Sequence, residues 1–171
     1  VRDLHFRLEG PVVVQLQAAF AEDWQFATRE ALEGGAWFPV LDPAGQSRAR
    51  AIVDGPDENL DKVTWTLQGA IACARRSILI VTPYFLPDAT LTTALSTAAL
   101  RGVAVHVLVP CESNLRLVQW AMWRQFQEVL GEGVRLWLTP PPFEHTKLML
   151  VDDEWVLFLS LIHISEPETK A

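Results

Sequence analysis

The chain has 171 residues, half of them hydrophobic, with a formal net charge of −7. That is enough for a domain with a real core. It provides no global basic field for nucleic acid or anionic lipid, so any anion recognition must be local. Cys73 and Cys111 stand in no metal-ligand spacing and read as reduced and structural. No run of eighteen apolar residues predicts a transmembrane helix in these residues, and no signal peptide is seen.

In chain order, Leu4–Leu8 alternates apolar and polar and predicts a strand, broken by Gly10-Pro11. Pro11 suits a helix start, and Val13, Leu16, Phe20, Trp24 and Ala27 recur at helical spacing over Val12–Leu32. His5 has no partner residue in the pattern and reads as structural. Glu33–Arg50 is rich in Gly, Pro and small polar residues. It reads as a linker and as a boundary between two halves of a larger protein, with Trp37-Phe38 pinning it down.

Ala51–Val53 predicts a short strand, Asp54-Gly55-Pro56-Asp57 a turn, and Leu60–Arg76 a helix capped by Asp57 or Asn59. Arg75-Arg76 complements that helix's C-terminal dipole. Ser77–Thr82 is a continuous apolar run that predicts a buried strand. Asp88 caps a helix through Arg101, and Val103–Val109 is the next strand, with His106 as a core histidine. Substrates of open α/β sheets gather beyond the carboxyl ends of strands. Thr82 and Tyr84 therefore stand where a ligand would lie, although Tyr84 and Phe85 serve packing equally well. In the loop after the next strand, Glu112, Ser113 and Asn114 line a polar pocket, or Ser113 caps the following helix. That helix, Leu115–Leu130, carries Trp120, Trp123 and Phe126 at three-residue spacing. This is a stripe for the core or, less commonly, for an acyl chain or membrane interface. Val134–Leu138 is a further strand, followed by the stiff Thr139-Pro140-Pro141-Pro142 turn.

The turn delivers Phe143-Glu144-His145-Thr146-Lys147, then the apolar Leu148–Val151, Asp152, and a second β-prone run Trp155–Phe158. Residues two apart on an extended strand share a face, so His145 and Lys147 are expected to point the same way. An imidazole and an ammonium on one face suit a phosphate: lysine neutralises its oxygens, and histidine attacks phosphorus or passes a proton. Asp152 has the opposite parity and falls where the strand ends, so its expected contribution to catalysis is orienting or charge-balancing. Glu144 points to the other face and is given no catalytic role. Alternating strands and helices predict an α/β sandwich with a mixed, largely parallel sheet.

The pattern H-x-K-x-x-x-x-D over His145–Asp152 resembles the second catalytic motif of the phospholipase D superfamily, and within it the bacterial cardiolipin synthases. Supporting stretches fall in the family's order: Leu8–Val13, Phe20–Trp24, Asp54–Asp57, Thr82–Asp88 and Ala98–Val105. The resemblance implies a truncated phospholipase D-like lobe over 51–158, preceded at 1–50 by a linker segment that follows a missing first lobe with its own H-x-K motif. It implies catalytic roles for His145, Lys147 and Asp152, substrate contact at Thr82 and Tyr84, and neither metal nor cofactor. The implied reaction is phosphatidyl transfer from phosphatidylglycerol or a similar phospholipid to an alcohol acceptor through a phosphohistidine. It would take place at the bacterial inner membrane, with no nucleic acid partner and with this fragment inactive alone. The alternatives are a phosphodiesterase or nuclease of the same superfamily, or a noncatalytic interface lobe. Where the family continues into Gly-Ser-x-Asn, this chain reads Leu159-Ser160-Leu161-Ile162-His163-Ile164-Ser165-Glu166-Pro167. That run resembles a translated transposon-adapter sequence, so 159–171 is expected to be a non-native tail in which Ser160 and His163 have no role.

Overall fold

Apolar runs at strand and helix periods alternate from Leu67 onward, and the computed structural model turns them into a single five-stranded sheet with helices packed on it. The structure describes residues 1–55, 60–113, 116–131 and 133–159. The caps expected at Asp57 or Asn59, the pocket residue Asn114, and Ser160 and His163 with the rest of 160–171 lie outside them. The chain forms two units, Val1–Leu4 with Leu67–Ala171, and His5–Thr66.

The first unit holds the sheet. Strands β1 (Ser77–Val81), β2 (Ala104–Pro110) and β3 (Arg135–Thr139) pair in parallel, while β4 (Leu148–Val151) runs antiparallel to β1 and β5 (Trp155–Phe158) antiparallel to β4. The order is β3-β2-β1-β4-β5, and four of the five strands share one direction. The mixed, mostly parallel α/β sheet read from the sequence is therefore the sheet observed. Ile78 on β1, Val105, Val107 and Val109 on β2, and Met149 and Val151 on β4 form one buried row. It packs with Ile71 of α2 (Lys62–Cys73), Leu95 and Ala98 of α3 (Ala89–Leu100), and Met122 and Phe126 of α4 (Arg116–Leu130). The other row is less covered: Leu79, Leu108, Leu148 and Leu150 are half-buried, and Trp137 and Val156 are exposed. The continuous apolar character of β1 thus reflects one packed face and one half-covered face.

Helix ends are closed by particular side chains. Asp88 Oδ1 accepts from the Leu91 N–H at 2.7 Å, as expected of an N-cap. Arg101 Nη2 donates to the carbonyls of Ile71 and Ala74 at 3.0 and 3.1 Å, satisfying groups that the end of α2 leaves open. His106 sits half-buried on β2 and accepts from Trp137 Nε1 through Nδ1 at 2.9 Å, with the two rings stacked. That is the satisfied structural histidine the valine-flanked setting suggests. On α4, Phe126 is buried, but Trp120 is 83% and Trp123 53% exposed. These two lie with Leu117 and Arg124 on the side away from Met122 and Phe126, so the three-residue aromatic spacing winds out of the core instead of following it.

The second unit contains α1 (Val12–Thr28), which ends four residues short of the predicted Leu32 because Arg29 adopts a left-handed conformation (φ 66°). Its apolar stripe stays partly open: Phe20 and Trp24 pack ring to ring at 5.9 Å yet remain exposed. Gly10 (φ 85°) lies so close to Ala44 that a Cβ would fall 3.0 Å from the Ala44 nitrogen, which makes glycine obligatory there. Gln15 Oε1 accepts the Ala51 N–H, and Asp54 Oδ1 accepts the Val63 N–H at the start of α2. No strand forms over Leu4–Leu8 or Ala51–Val53.

Candidate functional site

β3 leads through Pro140–Pro142 into Phe143, and the chain is then held from an unexpected direction. Arg2 N–H donates to the Phe143 carbonyl at 2.7 Å, and His145 N–H donates to the Arg2 carbonyl at 2.8 Å, a parallel bridge between the first residues of the chain and the motif. Leu4 N–H donates to Thr146 Oγ1 at 3.2 Å. Thr146 is almost fully buried; its hydroxyl and its N–H both reach Glu144 Oε1, so the residues between the motif positions turn inward and are satisfied there. The Lys147 carbonyl accepts from Leu159 N–H at 3.1 Å, extending the β4–β5 ladder to the motif lysine.

These pairings keep the backbone extended, and His145 and Lys147 project together. Lys147 Nζ lies 3.3 Å from His145 Nε2. On the other side of the ring, Nδ1 lies 3.6 Å from Asp3 Oδ2, and both side chains are about four-fifths buried. An ammonium can only donate, so the lone pair it meets is on Nε2, the ring proton is on Nδ1, and that N–H faces Asp3. Burial pushes the Lys147 ammonium below its ordinary range, and the Asp3 carboxylate pulls partly back. A partly desolvated ammonium gains more from an arriving anion than a fully exposed one does.

Aromatic rings wall the imidazole. Tyr84 meets it edge-on at 6.5 Å, Phe143 lies at 5.9 Å, and Tyr84 and Phe143 are 6.2 Å apart. Val81 pairs with Leu148, so the loop after β1 lies beside the motif. The Thr82 hydroxyl is engaged with the backbone of Tyr84, donating to its carbonyl at 3.3 Å and accepting its N–H at 3.4 Å. Thr82 thus shapes the loop that places Tyr84, and of the two it is Tyr84 whose ring contacts the imidazole.

Asp152 stands apart from this group, at the strand end where an orienting or charge-balancing role was expected of it. It follows the far end of β4, four strand residues beyond Lys147, with a left-handed backbone (φ 55°). Its Oδ1 accepts from the N–H groups of Arg76 (2.7 Å) and Ser77 (2.8 Å), and its Oδ2 from that of Arg75 (2.9 Å). The Ser77, Arg75 and Arg76 N–H groups, helped by the Arg76 guanidinium, hold the carboxyl below the usual carboxylate range. The Arg76 side chain also donates to the Asp152 carbonyl and pairs with Glu154 at 3.1 Å. Arg75 and Arg76 therefore serve the junction between α2 and β1 through their backbones, in addition to any effect on the helix dipole. These bonds fix the end of β4 against that junction.

Asp3 escaped the sequence reading. It stands 142 residues from His145, just before the strand predicted over Leu4–Leu8, and no local spacing connects the two. Among the described residues, no group of three or more His, Cys, Asp or Glu side chains is arranged to hold a metal ion. No helix among them is long and apolar enough to cross a membrane.

The class this defines is an α/β lobe carrying, at a sheet end, a histidine–lysine pair able to neutralise a phosphoryl oxygen and exchange a proton with its substituent. The family model described as "Cardiolipin synthase, PLD-like domain" matches residues 67–161, and the chain belongs to that phospholipase D-like family. Cardiolipin synthase A of Pseudomonas entomophila (strain L48) is 38% identical over 153 residues, covering 90% of this chain and 32% of that protein. Cardiolipin synthase of Geobacillus thermodenitrificans (strain NG80-2) is 34% identical over 155 residues, covering 90% and 31%. The chain thus spans about a third of the length of the curated relatives it matches. Among solved structures, a phospholipase D family member, Nuc from Salmonella typhimurium, aligns with 24% identity and a TM-score of 0.43, covering 53% of this chain and 57% of that one.

Proposed function

We propose that these residues form part of a phosphatidyltransferase of the cardiolipin synthase type, in which His145 and Lys147 act on the phosphodiester of a phospholipid. The observation that carries this reading is the 3.3 Å approach of Lys147 Nζ to His145 Nε2, backed on Nδ1 by Asp3. An arriving phosphodiester draws the ammonium from the ring to a phosphoryl oxygen, and the vacated Nε2 takes up a proton from water, which makes the ring an acid. Asp3 balances the positive charge that the doubly protonated ring bears.

One histidine is not suited to both sides of a displacement at phosphorus: a nucleophile attacks on one side while an acid protonates the leaving oxygen on the other. In this reading a second His/Lys pair, from a lobe outside these 171 residues, makes the phosphohistidine. His145 protonates the departing alcohol and then takes the proton of the acceptor alcohol as its oxygen bonds to phosphorus. The threefold greater length of the relatives supports a second lobe. We assign 51–158 to the second catalytic lobe, 1–50 to the segment joining it to the first, and 159–171 to a tail without function. Asp3 is the part of 1–50 that works at the site. The net charge of −7 speaks against nucleic acid, whose dense line of phosphates calls for a broad basic surface.

The exposed side of α4, with Leu117, Trp120, Trp123 and Arg124, suits the headgroup layer of a membrane. In the full-length protein, replacing Trp120 and Trp123 together by alanine should weaken sedimentation with phosphatidylglycerol vesicles severalfold. Unchanged sedimentation removes α4 from the membrane contact.

The direct test of the reaction is phosphatidyl transfer by the full-length protein, with DNA hydrolysis measured in parallel. Transfer that disappears in His145→Ala supports the assignment. DNA cleavage without lipid transfer, or transfer unaffected by that change, overturns it. Residues 1–158 alone should show no turnover.

A further inference from the structure

Two rings from different parts of the chain meet at the imidazole. Phe143 precedes His145 by two residues, so on an extended backbone the two share a face, and Lys147 follows at the same step. The Phe143 carbonyl accepts from Arg2 N–H at 2.7 Å, which pins the backbone that carries the ring. Tyr84 comes from the loop after β1, shaped by the Thr82 hydroxyl. The Phe143 and Tyr84 ring centres lie 5.9 and 6.5 Å from that of the imidazole and 6.2 Å from each other, so the three rings close a triangle. The two ring nitrogens are faced by other groups, Nε2 by Lys147 and Nδ1 by Asp3, and the His145 side chain is only 18% exposed.

We propose that Phe143 and Tyr84 form a water-excluding wall at His145, and that this wall favours transfer over hydrolysis. The inference rests on the phosphatidyltransferase reading and names what keeps its intermediate for an alcohol. In the second half of that reaction an acceptor oxygen bonds to phosphorus. The bond from phosphorus to the histidine of the other lobe breaks, its electron pair returns to nitrogen, and the hydroxyl proton passes to His145 Nε2. Water can take the place of the alcohol in each of these steps, and the product is then phosphatidic acid. Water is also the more abundant nucleophile, so a transferase has to keep it from the reacting centre while the intermediate stands.

The composition of the wall fits that task. A water held inside a protein makes about three hydrogen bonds to polar partners. The Phe143 ring offers none, and what Tyr84 brings to the imidazole is its ring. Once the Lys147 ammonium has turned to a phosphoryl oxygen, a water beside Nε2 keeps the nitrogen as a partner and meets carbon on the sides that the rings cover. In this role both residues act by cover and position, and neither exchanges a proton.

The experiment uses the full-length protein on phosphatidylglycerol vesicles with ethanol in the buffer. All phosphatidyl-alcohol products are summed and divided by the phosphatidic acid formed. Only molecules that fold and react enter this ratio, so a loss of folded protein does not move it. Phe143→Ala should lower the ratio about tenfold, the factor to which one aromatic contact amounts. Phe143→Leu keeps apolar bulk and should restore most of it. Tyr84→Ala should act in the same direction as Phe143→Ala and carries the test if the latter does not fold. An unchanged ratio in the alanine variants, or an equal fall in Phe143→Leu, overturns the wall and leaves the enzyme assignment standing. Phosphatidic acid as the main product of the parent protein, or no product of either kind, overturns both.

Discussion

The two ends of β4 carry the two halves of one sequence pattern and do different work. At the amino end, His145 and Lys147 sit 3.3 Å apart with an acid behind the ring, and the lysine is partly desolvated. At the carboxyl end, Asp152 spends its oxygens on three backbone N–H groups at the start of β1 and is held below the usual carboxylate range. The first end is arranged to receive an anion, whereas the second has its bonding already satisfied from within the fold. On the proposed function, the linear motif joins a reacting group to a structural fastener.

That contrast can be broken most sharply at His145. His145→Ala in the full-length protein should lower phosphatidyl transfer by about 10³-fold or more with little change in thermal midpoint, since acid–base and nucleophilic roles are commonly worth 10²–10⁴. Asp3→Asn should come next, with a loss of about 10–100-fold. It should also displace the pH–rate profile, because the amide no longer balances a charged ring. A profile of unchanged shape would make Asp3 structural.

Asp152→Asn should reverse the pattern: the thermal midpoint falls by several degrees while the rate per folded molecule is largely kept. The sign of its pH dependence follows from a folded-state value depressed below 3.8. The stabilisation is fully present above the unfolded value near 3.8 and disappears as pH falls through the lower folded value. Acid unfolding curves of the parent and Asp152→Asn proteins should therefore converge below about pH 4. Parallel curves would mean that Asp152 contributes no such linkage. The smallest expected effect is Trp137→Phe, which removes the donor to His106 and should cost about 0.5–1.5 kcal/mol without altering transfer.

The fold was legible where one physical signal dominated. Leu148–Val151 and Trp155–Phe158 are the strands their apolar runs announce, and β1, α3 and β2 fall within a residue or so of their predicted bounds. Alternation of strand and helix was enough for the mixed, mostly parallel sheet. Errors arose where local pattern and tertiary need diverged. Leu4–Leu8 alternates like a strand, yet the pairing in this part of the chain is made by Arg2 against Glu144. The aromatic spacing on α4 looked like core, but three-residue steps drift around a 3.6-residue helix and carry Trp120 and Trp123 outward. In the site, the shared orientation of His145 and Lys147 followed from strand parity. Asp3 was invisible because only the folded chain brings it near, and the bonding of Asp152 depends on N–H groups that no side-chain pattern reveals.

The bridge from Arg2 to Phe143 and His145 has a practical corollary. The recognisable family span begins at residue 67, and trimming the polypeptide to that span would preserve every letter of the motif. It would also discard the carboxylate that faces the imidazole and the backbone that holds the loop from outside. The span set by homology is narrower than the span that holds Asp3, and a minimal version designed on the first would lack the carboxylate beside His145.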